Sequence, residues 1–360
     1  MSNRAAAMPG GSVSLSRVAR FPGLRALAWD GDLLYAARGY QLLRARVSHP
    51  TDSLSWEFVA GFQASWRRRL SVANRLSARL FRDGFHALAV LSSGALVGAV
   101  PGAIVTSHPG EPEFRATHAI TRGTRPLHIT AVPGGAVYWG EYFNNSGRDA
   151  VHIYASTDQG ATWAVAYTFP KGSIRHVHNI VHDRFGDCLW ILTGDYVEEC
   201  RILRASCDLT RVETVLQGNQ QARAVALVPL PDALYFSTDT PLETNYVYRL
   251  ERGGNLTRLS PLSTSSIYGC RVGDRVFFST MVEPGRVNPD RYVRLYASSG
   301  QTLQSWQSVA LWPKDMWPLG LFQYGNALLP DGGNSTPYLA VTTVAVSSED
   351  QVTSLYSVDA

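Results

Sequence analysis

Apolar residues along this chain recur at a period of two, or in short unbroken runs, and seldom at the helical period. Leu24-Arg25-Ala26-Leu27-Ala28 is one such segment. Phe85-His86-Ala87-Leu88-Ala89, Leu127-His128-Ile129-Thr130-Ala131 and Ala222-Arg223-Ala224-Val225-Ala226 match it. Val177-His178-Asn179-Ile180-Val181 and Ile267-Tyr268-Gly269-Cys270 follow it more loosely, and a last start falls near Gly320-Leu321-Phe322. Each start leads into further strand-like runs separated by Gly-, Pro- and Ser-rich turns. The pattern predicts many short strands and an all-β chain.

A second series lies downstream of each start. Ser156-Thr157-Asp158-Gln159-Gly160-Ala161-Thr162-Trp163 is its clearest copy. Asp and Gly shape a tight turn between two strands, and Trp offers a large apolar face to the neighbouring sheet. Worn copies are Ser48-His49-Pro50 leading to Trp56, Ser107-His108-Pro109-Gly110 leading to Phe114, Ser206-Cys207-Asp208, and Ala297-Ser298-Ser299-Gly300 leading to Trp306. A repeat of about 45 residues with four strands is the signature of a β-propeller blade. Seven starts predict seven blades, with six as the alternative because Phe85–Ile120 is weakly patterned. The last unit supplies only Tyr338–Val346 and Thr353–Val358 after its inner strand. Val13–Phe21 is therefore expected to add the missing outer strand and close the ring, leaving no open edge. Residues 13–360 read as one domain and residues 1–12 as a flexible N-terminus.

One stretch breaks the pattern. Within about 63–83, Trp66, Leu70, Ala73, Leu76 and Leu80 fall at helical spacing, among Arg67, Arg68, Arg69, Arg75, Arg79 and Arg82. This predicts a basic amphipathic helix inserted between the first two blades, with its arginines toward water. Peripheral contact with an anionic membrane through 66–82 is the partner such a helix suits.

Composition changes the picture little. A charged fraction of 17% and a net charge of +4 carried mostly by Arg favour acidic ligands, without any nucleic-acid motif. No apolar run is long enough for a membrane span, and the N-terminal segment lacks a signal-peptide core, so a cytoplasmic location, peripheral to the inner membrane, is the expectation. The four cysteines (Cys188, Cys200, Cys207, Cys270) have no metal-site spacing and read as free thiols.

The repeat register predicts which side chains converge. Inner strands begin where second strands end, at one mouth of the channel. The strand starts contribute Arg25, His86, His128, Arg175, His176, His178, Arg223 and Tyr268. The second-strand ends contribute Glu141, Asp195, Asp239 and Glu283, with Tyr142 and Tyr196 directly after two of these acids. Asn144, Asn145, Arg148, Glu243, Asn245 and Arg286 lie in the loops beyond. Carboxylates and amides bind sugar hydroxyls, aromatic rings stack on pyranose faces, and Arg pairs with carboxylated sugars. The expected partner is a poly- or oligosaccharide. Glu141, Asp195, Asp239, His176, His178 and Tyr142 are the catalytic candidates. Arg25, His86, His128, Arg175, Tyr196, Arg223, Glu243, Asn245, Tyr268 and Glu283 are the binding candidates. Paired acids suit glycoside hydrolysis, the favoured enzyme reading, and a His, Tyr and Arg set suits β-elimination of a uronate. A non-catalytic glycan- or protein-binding propeller in exopolysaccharide production is the alternative. No cofactor or metal is expected, since His176 and His178 lack a clear third ligand in the sequence.

The Ser156–Trp163 string resembles the Asp-box of sialidase-like BNR propellers. That resemblance implies the propeller fold and a glycan-directed function. Arg20-Phe21-Pro22 is the nearest match to the Arg-Ile-Pro motif whose Arg grips the sialate carboxylate, with Phe in place of Ile. Thr238-Asp239-Thr240-Pro241-Leu242-Glu243-Thr244-Asn245 also looks like a segment of bacterial sialidase-like propellers.

Overall fold

The computed structural model describes residues 13–48, 54–283, 285, 287–298 and 303–359. The expected N-terminal flexibility of 1–12 and the positions His49, Pro50, Arg286, Ser299 and Gly300 lie outside the described residues. Seven four-stranded antiparallel blades follow one another around a channel. Their inner strands are Arg25–Gly31, Ala87–Val90, Thr130–Ala131, His176–Asp183, Ala224–Pro229, Ser266–Val272 and Asn326–Leu328. The six-bladed alternative fails because the weakly patterned second unit forms a full blade from Ala87 to Ala119.

Ring closure is as the pattern predicts. Ser14–Pro22 pairs antiparallel with Val352–Asp359 and becomes the outermost strand of the last blade. Phe21 is buried there and meets Trp56 of the first blade edge-on at 5.3 Å. The last inner strand begins at Asn326, later than the pattern places it, because Leu319–Phe322 is a short helix. Beyond Leu328 the chain turns inward, and Asp331–Asn334 pairs parallel with the inner strand of the first blade. The outer strands of the first two blades also touch, Gly61–Phe62 lying parallel to Glu113–Phe114.

The turn predicted from Ser156–Trp163 joins the outer two strands of the third blade. Asp158 accepts from the Thr162 amide at 2.9 Å and from the Ser156 hydroxyl at 2.8 Å, while the Gly160 amide donates to the Ser156 hydroxyl at 2.8 Å. The Trp163 indole packs beside Trp139 and donates to Thr117 of the preceding blade at 3.2 Å. The worn copy in the fourth blade keeps the same local logic. The Thr210 amide donates to Asp208 at 3.1 Å and the Arg211 amide to the Ser206 hydroxyl at 3.1 Å. A Ser and an Asp two positions apart thus make one turn twice, with or without the Trp.

The insertion departs from expectation. It forms two short helices, Trp66–Ser71 and Arg75–Phe81, the second capped by Asn74 accepting from the Ser77 amide at 3.0 Å. Its polarity is partly inverted. Trp66, Leu70, Leu80 and Phe81 face outward, whereas Arg79 is 1% exposed. Arg79 is clamped by Asp315 and Asp350 and donates to the Phe322 carbonyl. A guanidinium can be buried when several acceptors satisfy it, and here the carboxylates of Asp315, before the last blade, and Asp350, within it, supply them. The expectation that all six arginines face water is therefore corrected at Arg79. The four cysteines are free, and no helix is long and apolar enough to cross a membrane, both among the described residues.

Removing one partner of a buried ion pair leaves the other charge stranded, at a cost of about 3–5 kcal/mol. Arg79→Met is expected to lose stability of that order in urea unfolding. Arg67→Met, at an exposed site on the first helix, is expected to change it by less than about 0.5 kcal/mol.

Candidate functional site

The repeat register places the first side chains of the inner strands at one mouth of the channel, and the structure divides them into two groups. The first group belongs to blades one to three, with contributions from blades six and seven. Arg25 opens the first inner strand, and its Nη2 donates to the His86 carbonyl at 3.2 Å. Arg125 precedes the third inner strand. Burial lowers both guanidinium pKa values, and the charges of Arg25 and Arg82 add to burial in bringing Arg125 down to about 10. His86 is pushed well below its ordinary value, by burial first and then by Arg125 and Arg25. It is therefore neutral at physiological pH.

What distinguishes these arginines is the lack of an acid. Among the described residues, neither Arg25 nor Arg125 has a carboxylate within ion-pair distance, and the Arg25 Nε is buried without a partner. The nearest acids are engaged elsewhere. Asp83 accepts from Tyr40 at 3.0 Å and from Ser71, and Asp331 pairs with His128 Nδ1 at 3.0 Å. Tyr268 lies edge-on to His128 with ring centroids 6.1 Å apart, and burial raises its phenol. A cavity of about 550 Å³ opens over this group. Arg25, Arg82, His86 and Arg125 line it together with Val72–Arg75 of the insertion. The other end of the channel is a wider cavity of about 920 Å³ that reaches His128, Tyr268 and Asp331 from below.

The second group belongs to blades three to six. Asp195 follows the second strand of blade four and is met by four side chains. Arg175 Nη1 and Arg223 Nη2 each lie 3.2 Å from its carboxylate, His178 Nε2 at 3.5 Å and His176 Nε2 at 3.6 Å. Arg223 also reaches Asp239 at 3.6 Å. Burial drives the Asp239 carboxyl up to about 7, with Arg223 opposing and Glu283 and Asp195 assisting. Glu283 is raised by burial too, although Ser265 donates to it. Tyr142 places its ring 4.3 Å from that of His176, and burial, then Asp239 and Asp195, raise its phenol. The group thus holds carboxyls raised by burial and one phenol in its acid form.

Of the residues singled out in the sequence, Asp195, Asp239, His176, His178, Tyr142, Arg175, Arg223 and Glu283 come together in this second group. Arg25, His86, His128 and Tyr268 come together in the first. Tyr196 is half-exposed at the rim, with the Arg175 guanidinium 5.1 Å over its ring. Four residues stand apart. Glu141 is 3% exposed and forked onto Arg122, and it accepts from the His152 amide at 2.8 Å. Its lone pairs are spent on holding the loop 122–152. Asn145 likewise ties its own loop, bonding Asp149 at 2.8 and 2.9 Å. Asn245 is 1% exposed and bonds Thr240, Thr238 and Asn288, and Glu243 is exposed on the loop before it.

Sequence reasoning missed Arg125 and Asp331. Arg125-Pro126 sits just ahead of the third inner strand, three positions before His128, which is the repeat equivalent of His86. Asp331 belongs to the inward-turning segment and carries no repeat signal.

No family model matches the sequence, and no curated protein matches it. The fold is similar to many solved structures. A chain of the mitotic checkpoint complex superposes with a TM-score of 0.57 at 11% identity, covering 99% of this chain and 98% of that one. The WD40 propeller of Doa1 gives 0.54 at 9%, with 97% and 96% covered. An ancestral GH74 enzyme gives 0.55 at 11%, covering 98% of this chain and 48% of that one. These likenesses establish the β-propeller fold alone.

The raised Asp239 carboxyl makes a pH prediction. The folded state keeps this proton up to about 7, whereas an unfolded Asp releases it near 3.9, so stability falls as pH rises between those values. Asp239→Asn is expected to flatten the fall in Tm between about pH 5 and 7. Tm curves of equal slope for both proteins in that window would contradict the assignment.

Proposed function

We propose that this propeller is a carbohydrate-active protein directed at an acidic glycan, whose carboxylate seats between Arg25 and Arg125 at the channel mouth. The observation that carries the reading is the pair of part-buried guanidiniums without a carboxylate partner. Like charges held together away from water cost free energy, and a bound anion relieves that cost while accepting fork-shaped hydrogen bonds. A cavity of about 550 Å³ is in the range of pockets that hold small organic ligands. The resemblance of Ser156–Trp163 to sialidase-like Asp-boxes agrees with a glycan-directed role.

One observation favours elimination as the chemistry of this mouth. Neutral His86 lines the same cavity as both arginines and so places a base beside the seat of the carboxylate. In β-elimination a base takes the proton α to the uronate carboxylate. Its electrons form a carbon–carbon double bond as the glycosidic C–O bond breaks, and an acid protonates the departing oxygen. Arginines offset the charge that builds on the carboxylate. Hydrolysis would instead draw on Asp239 with Asp195 or Glu283.

Isothermal titration with an acidic oligosaccharide and its carboxyl-reduced form tests the reading. The acidic form is expected to bind and the reduced form to bind far more weakly. Arg125→Gln is expected to cost roughly 1.5–3 kcal/mol, about 10- to 100-fold in Kd. Equal binding of both forms would overturn the proposal. In the same samples, ultraviolet absorbance of unsaturated uronate reports elimination, and new reducing ends without it report hydrolysis.

The insertion supports a place at an anionic membrane surface. Trp66, Leu70, Leu80 and Phe81 are exposed beside Arg67 and Arg69, and the second helix packs on Leu319–Phe322, whose Leu321 is exposed as well. Apolar groups for the lipid boundary and cations for the headgroups are the two attractions of interfacial binding. The protein is expected to sediment with vesicles rich in acidic phospholipid and not with neutral ones, and Trp66→Glu with Leu70→Glu to abolish this. Protein that stays in the supernatant with acidic vesicles would refute the proposal.

A further inference from the structure

The strand His176–Asp183 opens with two histidines flanking Val177, and a bulge between Val177 and Asn179 breaks its pairing with Cys188–Gly194. Bulges re-aim side chains, and here both imidazoles turn toward one point. Their outer nitrogens are fixed by backbone carbonyls of the neighbouring blades. His176 Nδ1 lies 3.0 Å from the Phe143 oxygen, and His178 Nδ1 lies 2.9 Å from the Ala224 oxygen. A carbonyl only accepts, so each Nδ1 carries hydrogen, and each Nε2 is the nitrogen left to face the other ring. The two Nε2 atoms face each other at 3.2 Å, with Asp195 oxygens at 3.5 and 3.6 Å. Two such nitrogens and a carboxylate aimed at one small space repel unless a positive species occupies it.

We infer that His176, His178 and Asp195 form a binding site for a divalent transition-metal ion, with zinc the best fit. Zinc holds nitrogen and oxygen ligands at about 2.0–2.1 Å in a tetrahedron, which sets neighbouring ligands about 3.4 Å apart. The three separations here cluster about that spacing, although the two Asp195 distances run to different carboxylate oxygens. Histidines whose other nitrogen donates to a backbone carbonyl are the usual arrangement around a metal. The acid is held as firmly as the imidazoles. Asp195 adopts a φ of 149°, a strained conformation for a residue with a side chain, and its carbonyl accepts from Arg223 at 3.0 Å and Gln220 at 3.2 Å. The charged groups facing the site are Arg175 and Arg223, which oppose a cation, and Asp239 and Glu283, which favour it. Both guanidiniums contact the Asp195 carboxylate rather than the imidazoles, and Arg223 is shared with Asp239. Three protein ligands leave one position open, as in catalytic rather than structural zinc sites.

The competing occupant is a proton shared between the two Nε2 atoms, and direct metal measurement separates the two. Untagged full-length protein is stripped with a chelator and titrated with zinc chloride alone, then with cobalt(II). One equivalent of zinc is expected, and the cobalt form is expected to show the visible bands of a low-coordinate ion. His178→Gln, shown folded by circular dichroism, is expected to lose that equivalent. Cys207→Ser, which alters the other cluster of metal-ligating side chains (His182, Asp187 and Cys207) among the described residues, is expected to keep it. Arg125→Gln is expected to keep it too, so that failure of the glycan proposal and failure of this one are distinguishable. The inference is overturned if the unaltered protein takes up no zinc, if folded His178→Gln retains it, or if Cys207→Ser loses it.

Discussion

Closure of the ring by pairing Ser14–Pro22 with Val352–Asp359 is the constraint on which the rest of the structure depends. Seven sheets around one axis leave little room at the centre, so inner strands are built mainly from Ala, Gly, Val and Leu. Because all inner strands run the same way, their first residues are forced onto one small circle. Polar side chains placed there converge whatever their distance in sequence. Arg25 and His86 therefore meet across 61 positions, and His128 meets Asp331 across 203.

Convergence concentrates charge, and the two halves of the circle handle it differently. Around Asp195, two arginines and two histidines converge on one carboxylate. Around Arg125, Arg25 donates to the His86 carbonyl and neither arginine meets a carboxylate among the described residues, the local acids being engaged by His128, Tyr40 and Ser71. The Asp195 half holds its groups in fixed geometry. The Arg125 half carries an unspent positive potential. The insertion walls the Arg125 half, anchored by Arg79 between the carboxylates of Asp315 and Asp350.

Much of this was legible in the sequence because the repeat is local. The alternating runs placed the inner strands, and the Ser–Asp pairs at 156–158 and 206–208 placed two turns. The truncated last unit implied the strand at 14–22. The same register put Asp195, Asp239, His176, His178 and Arg223 at one end of the channel. What was not legible depends on partners far along the chain. Nothing near Arg79 announces Asp315 and Asp350, so helical spacing alone put its charge in water. Nothing near Glu141 says that Arg122 spends its lone pairs. Asp331 became visible only once the last inner strand was seen to turn inward and pair with the first blade.

On the proposed reading, the arginines without a carboxylate partner receive an anion carried by a sugar. A crystal of the protein grown with an acidic disaccharide tests it most directly. The carboxylate is expected between Arg25 and Arg125, with its sugar ring against His86. A disaccharide seated instead in the wider opposite cavity, or against Asp195 with the arginine mouth holding only water, would contradict it.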